Sequence, residues 1–374
     1  MVKMSQNQPR IAIITSRNKN NFVYNSCLYE FEDIIAEVDN VDWIYIPNSG
    51  EFQKSVQNVV RKTAQYITPL TKVRPPLVPK VTLEREYDLI FYILDFPYSV
   101  QNLNLIKQWR EKSKIAVCYV IELWQTELAQ CKNYLTFLNN FDFVFLGHSQ
   151  IVEQTQDIIG KPCAYLAPAI DTLRFCPQSL SSDRTIDITS MGRRSEVTHE
   201  ALLKLTQKGN FFYHYDLFKA SEAKINNHQA HRIFNANILK NSRYFITNYA
   251  KVNCLEQVKG QIEIGYRFFE GAAAGTVMIG CPPQTEVFQQ YFDWKNAVIP
   301  MEFDEPNIEK IIKELDEQPE LLQQISSDNI KNSLLKHDWL YRWQTVLERA
   351  GLSPIEKLEK RKTYLQQLAS RFTI

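Results

Sequence analysis

Short apolar runs alternate with amphipathic stretches along both halves of the chain. In the first half Arg10–Thr15 (RIAIIT), Val41–Ile46, Asp88–Leu94 (DLIFYIL), Lys114–Ile121 (KIAVCYVI) and Asp142–Leu146 read as strands. Between them Leu28–Ala36, Gln101–Glu111 and Glu122–Leu138 read as helices. Residues 50–84, Pro-rich around Val73–Pro79, read as a helix plus a surface excursion. The second half repeats the rhythm, with strands at Thr185–Ser190, Phe211–Tyr215, Arg243–Asn248 and Val277–Gly280. Helices are expected there at Glu200–Gln207, Gln229–Leu239, Tyr266–Ala274, Asn307–Glu314, Glu320–Leu334 and Trp339–Arg349. Apolar runs separated by amphipathic helices predict βαβ units, that is, parallel sheets covered on both faces.

The halves meet at Pro168–Pro177 (PAIDTLRFCP), where a proline at each end and a turn-prone Asp mark a connector. Two domains follow, residues 1–168 and 178–345, as a length of 374 residues allows. Residues 346–374 place Ile355, Leu358, Leu365, Leu368 and Phe372 on one stripe. A helix with such a face must pack on something. Open α/β sheets bind ligands beyond the carboxyl ends of their strands, so the chemistry is expected in the cleft between the domains.

Charge narrows the partners. The 43 basic residues nearly cancel the 42 acidic ones, and a net charge of +1 carries no footprint for nucleic acid. The longest apolar runs, such as Ile115–Ile121, fall well short of the ~20 residues of a membrane span. The start, MVKMSQNQPR, has no apolar core of a signal peptide. Seven cysteines are scattered without a C-x-x-C pair, as suits reduced thiols. A cytoplasmic protein is expected.

Two stretches of the second half carry candidate chemistry. In Ser190–Arg194 (SMGRR), Gly192 permits a tight turn, and Arg193 and Arg194 offer guanidinium forks suited to phosphate oxygens. The alternative is a β-turn with two solvated arginines. In Gly265–Gly275 (GYRFFEGAAAG), Gly265, Tyr266 and Arg267 open a helix whose free N–H groups suit an anion. Glu270, a turn further on, suits two neighbouring ribose hydroxyls. The alternative is an ordinary amphipathic helix with an exposed Glu. In the first half Glu122 ends an apolar strand opening into the cleft and is the candidate for acid/base work. Asp95 ends the preceding strand, and Trp124 stands two residues after Glu122. His228 and His231 stand i, i+3 without a third ligand, so a helix face is read there and no metal site.

Together these stretches resemble the family 4 glycosyltransferases and the spore-maturation (CgeB-type) glycosyltransferase-like proteins. In PAIDTLRFCP, Asp171, Phe175 and Pro177 match the interdomain signature of those families, with Ala169 in place of its Gly. SMGRR resembles their G-R phosphate loop and FFEGAAAG their E-A-x-A-x-G helix, while HDWLYRW at His337–Trp343 resembles the closing segment of the CgeB-type proteins. The sequence departs from the pattern at Ile262, where a second Glu is usual, and at Arg194–Thr198 (RSEVT), which lacks the usual Lys. Arg194, Arg267 or Lys251 is left to supply that charge. The Gly-rich loop after the first strand is replaced by SRNKNN, and the family's reaction-centre His has no counterpart.

The resemblance implies a GT-B fold, with two Rossmann-like domains facing a cleft and a C-terminal helix crossing back to the first. It implies transfer of a sugar from a nucleotide-sugar, with retention favoured. The donor diphosphate would lie at Gly192, Arg193, Arg194, Gly265, Tyr266 and Arg267, with its ribose on Glu270. No Asp-x-Asp dyad ends a strand in the cleft, so no metal and no cofactor is expected. The acceptor, whether glycan, lipid, protein or small molecule, would meet the first domain at Asp95 and Trp124. A non-catalytic nucleotide- or sugar-binding protein of the same fold is the alternative.

Overall fold

The computed structural model describes residues 10–19, 21–47, 81–180, 183–217 and 223–373, so the excursion expected over 50–84 lies almost wholly outside the described residues. Two parallel sheets organise them. In the first, the strands Val41–Tyr45, Ile11–Thr15, Tyr87–Leu94, Ser113–Val120, Phe143–Leu146 and Cys163–Tyr165 lie side by side in that order. In the second the order is Tyr213–Tyr215, Ile186–Ser190, Ser242–Asn248, Val277–Cys281 and Ile299–Pro300. In each sheet the chain reverses its direction of travel between its first strand and Tyr87–Leu94 or Ser242–Asn248. That reversal opens a crevice at the strand ends. The central strands form because both faces are covered: all five residues of Ile11–Thr15 are buried.

Two expected helices differ. Gln101–Glu111 is not an α-helix but a 3-10 run, Pro97–Leu105, followed by the two-residue strand Ile106–Lys107. Its buried positions Val100, Leu103 and Ile106 recur every third residue, which is the period of a 3-10 turn. The expected helix at Glu122–Leu138 begins only at Leu128. Ile121 and Glu122 stay extended because their N–H groups donate to Leu94 and Asp95 carbonyls, prolonging the ladder past the strand end.

The Tyr266–Ala273 helix lies tightly on the second sheet. A Cβ on Gly271 would stand 2.8 Å from both Met278 Sδ and Phe245 Cδ1, so a larger residue there would have to push those side chains aside.

The last helices cross to the first sheet. Trp339 stacks on Phe31 of the Ser26–Val38 helix at 4.4 Å, and Trp343 packs on Phe91 at 5.4 Å. The Glu356–Ala369 helix buries Leu358 and Leu365, and Phe372 is buried just beyond it. Arg361, also buried, donates to Asp171 of the connector and to Asp338, each at 2.8 Å. Backbone bonds from Ile170 to His337 and from Trp339 to Ile170 tie the connector to the same closing segment. No helix among the described residues is long and apolar enough to cross a membrane.

Candidate functional site

The carboxyl ends of the two sheets face one another. At the end of Ile186–Ser190 the backbone turns at Gly192, whose φ of +83° favours glycine. The Gly192 N–H donates to Asp216 Oδ2 at 2.9 Å, and Arg194 Nη1 donates to Asp216 Oδ1 at 2.7 Å. A carboxylate therefore sits where the sequence reading puts a phosphate. Arg193 reaches instead toward Asn253 Oδ1, at 3.3 Å.

Glu270 is placed differently from the exposed position considered for it. It is buried, with Arg267 Nη1 on Oε2 and Arg232 Nη1 on Oε1, both at 2.5 Å. Burial alone would raise its carboxyl, but Arg267 and Arg232 outweigh that and hold it below the ordinary value. Arg232, on the His228–Lys240 helix, also donates to Glu30 of the first half at 3.0 and 3.3 Å. Glu30 further accepts from the Asp171 N–H, Arg174 and the Trp339 indole. A chain of ion pairs, Glu30–Arg232–Glu270–Arg267, buried up to Glu270 and ending at the part-exposed Arg267, thus joins the ribose candidate to the first sheet's helix, the connector and the closing segment. Gly265 precedes the helix in extended conformation, and Tyr266 packs toward Trp339 at a ring separation of 6.3 Å.

On the opposite side Glu122 keeps about a third of its side chain exposed. The Trp124 indole N–H donates to its Oε1 at 2.7 Å, and Lys251 Nζ lies 3.8 Å from the same oxygen. Lys251 comes from the second half, in the left-handed backbone region (φ 56°), strain of the kind that collects at functional sites. Its ammonium also lies 4.1 Å from the Trp124 ring centroid, while His148 packs edge-on to that ring at 4.4 Å. Trp124 is thus 2% exposed, without a free face for stacking, and it acts on Glu122 and Lys251 instead. Asp95 lies next to Glu122 in the ladder, accepting from Ser99 Oγ at 2.5 Å and the Phe96 N–H at 2.9 Å. Its burial pushes the carboxyl up.

Glu263 completes the approach of the halves. Its carboxylate accepts from the Ser149 and Gln150 N–H groups at 2.8 and 3.1 Å, and Gln261 Oε1 accepts from the Gln125 N–H at 2.7 Å. Sequence reasoning passed over Arg232, Glu30, Asp216 and the role of Glu263. The one available signal was Glu30 inside the apolar run LYEFEDII, where a carboxylate needs a partner once buried. A cavity of about 480 Å³ lined by Arg184, Arg243, Tyr244 and Asp316 opens at the opposite, amino end of the second sheet. That is the wrong end for a ligand of such a sheet.

Residues 195–348, beginning directly after Arg194, match the model of the glycosyl transferase-like family. Over these residues the chain is similar to that family. With a second parallel α/β sheet facing this part and the closing helices returning to that sheet, the architecture is GT-B. No protein of curated function matches the chain. Among solved structures it is similar to TarM (15% identity, TM-score 0.41), covering 70% of this chain and 54% of TarM. It is similar to the glycotransferase of kitacinnamycin at 9% identity and TM-score 0.43, covering 92% and 99% of the two chains. It is also similar to the Gap123 complex from Streptococcus agalactiae at 16% identity and TM-score 0.41, covering 83% and 58%. The chain thus spans about half the length of TarM.

Proposed function

We propose that the protein transfers a sugar from a nucleotide-sugar to an acceptor bound on the first sheet. The observation carrying this reading is the Asp216 carboxylate held by the Gly192 N–H and Arg194, since a loop that holds one anion is built to hold another. The donor's diphosphate displaces Asp216 and draws on Arg194, Arg193, Arg267 and Lys251. Its ribose hydroxyls donate to Glu270, which two arginines keep ionised, by taking the place of the part-exposed Arg267 on Oε2. Charge growing on the leaving diphosphate is stabilised by these fixed cations without a metal. Glu122, beside Lys251, orients the acceptor hydroxyl, whose proton passes to the departing phosphate oxygen on a retaining path or to Glu122 on an inverting one, and closure of the halves keeps water from the donor. The family 4 resemblance favours retention at the anomeric carbon.

The same Asp216 contact supports a second reading, a GT-B protein that has filled its own phosphate loop and no longer turns over. Calorimetric titration with a panel of nucleoside diphosphates tests donor binding, and Arg194→Ala is expected to weaken it at least about tenfold, or ~1.4 kcal/mol. Slow release of free sugar from the matching nucleotide-sugar then separates the readings. Binding without any release favours the second, and no binding by the wild type removes both.

A further inference from the structure

Four aromatic rings form a continuous series where Ile11–Thr15 and Tyr87–Leu94 end, at the crevice of the first sheet. Phe22 and Tyr24 stack at 5.4 Å, Tyr24 meets Phe96 edge-on at 6.0 Å, and Phe96 stacks with Tyr98 at 5.3 Å. Tyr24, inside the series, and Tyr98, at its end, are 37% and 47% exposed. They are held in place from both sides. Asp95 fixes the turn carrying Phe96 and Tyr98 by accepting from Phe96 N–H and Ser99 Oγ. The other arm is pinned to the second half: Val23 N–H donates to Ala223 O at 3.0 Å, Ile225 N–H to Asn21 O at 2.8 Å, and Lys224 lies over Phe22.

Two carboxylates stand beside the rings, Asp95 and Glu122, the second paired with Lys251, while Lys224 covers Phe22. The Tyr24 phenol is raised by burial and then by the charges of Asp95 and Glu122, and the Tyr98 phenol responds to burial, Asp95 and Glu122 as well. The Glu122 N–H donates to the Asp95 carbonyl at 3.1 Å, so both carboxylates lie beside the turn that carries Phe96 and Tyr98. Rigid aromatic faces bind the C–H face of a pyranose, and carboxylates, which only accept hydrogen bonds, bind its hydroxyls. Anionic ligands would meet Asp95 and Glu122 unfavourably. We infer that Tyr24 and Tyr98, with Asp95 and Glu122, form the acceptor platform, and that the acceptor is a glycan with a neutral or amino-sugar pyranose at its end. This assignment rests on the transferase reading above and names the acceptor class that reading leaves open.

The test is binding of the full-length protein to an array of neutral, amino-sugar and uronate-ended oligosaccharides, followed by titration of the best binder. Tyr24→Ala and Tyr98→Ala should each weaken it at least tenfold, while Tyr364→Ala, an exposed ring on the last helix, should leave it unchanged. The inference is overturned if no neutral or amino-sugar glycan binds, if uronate-ended glycans bind as well, or if both tyrosine variants bind like the parent. Titration of the wild type with nucleoside diphosphates in parallel separates the two readings. Nucleotide binding without glycan binding overturns the platform alone, and loss of nucleotide binding overturns the transferase reading itself.

Discussion

Lys251 Nζ stands 3.8 Å from Glu122 Oε1, although the two residues belong to different sheets and are brought together only across the cleft. The indole of Trp124 holds both, donating to the carboxylate and presenting its face to the ammonium. A cation and a carboxylate with part of their surface open at this place suit opposite ends of one transfer. The cation suits the departing diphosphate and the carboxylate the incoming hydroxyl.

Lys251→Met should lower turnover by about 10²–10³-fold, the usual effect of removing one group that stabilises transition-state charge. Glu122→Gln should cost about 10²-fold or more while leaving nucleotide affinity intact. Steady-state donor consumption beside calorimetry checks the pair. Normal turnover in Lys251→Met removes it from the reaction.

Glu270→Ala should weaken nucleotide affinity at least about tenfold, since charge-assisted hydrogen bonds contribute ~1.5–3 kcal/mol each. It should also destabilise the fold, because Arg232 and Arg267 would lose their shared carboxylate. Breaking a buried pair in this way costs ~3–5 kcal/mol. Denaturant unfolding reports that loss, and Glu270→Gln, which keeps the shape but not the charge, is expected to fall between alanine and the parent.

Turnover should survive excess chelator. The proposed stabilisation of the leaving group comes from Arg193, Arg194, Arg267 and Lys251, none of which a chelator removes. A large loss restored by manganese would sink the mechanism.

Removing residues 354–374 should make the protein aggregate or melt far below the parent. The deletion uncovers the core that Leu358, Leu365 and Phe372 close, and it takes Arg361 from the buried carboxylates of Asp171 and Asp338. Parental melting of a soluble truncated protein would show that the crossing helix is dispensable.

Stability should fall as pH drops below about 6.5, the ordinary histidine value. Burial, then Arg342 and Lys336, hold His337 well below that value in the folded state. The unfolded chain therefore takes up the proton first, and acid favours unfolding by up to ~1.4 kcal/mol per pH unit for one such group. Its ring lies among Phe269, Phe292 and Trp294, so His337→Phe should flatten this part of the curve even where it lowers overall stability. Equal slopes in both proteins, from urea unfolding between pH 7 and 5, would assign the acid sensitivity elsewhere.

Periodicity by itself determined the layered architecture: IAIIT, DLIFYIL and KIAVCYVI are too apolar to be anything but strands covered on both faces, and the amphipathic segments between them fit covering helices. It also determined that the final stripe of Leu358, Leu365 and Phe372 had to be buried, and Gly192 was readable as a tight turn. Only the tertiary structure decided which charges meet. Arg232 is 202 residues from Glu30 along the chain, and Glu263 is 114 from Ser149. An arginine or glutamate on a polar helix or loop looks solvated until a second element excludes water from it. The same holds for Trp124, whose neighbour in sequence is Glu122 but whose faces are taken by His148 and Lys251. Local pattern reflects what one element buries, whereas ion pairing depends on the relative placement of elements far apart in the chain.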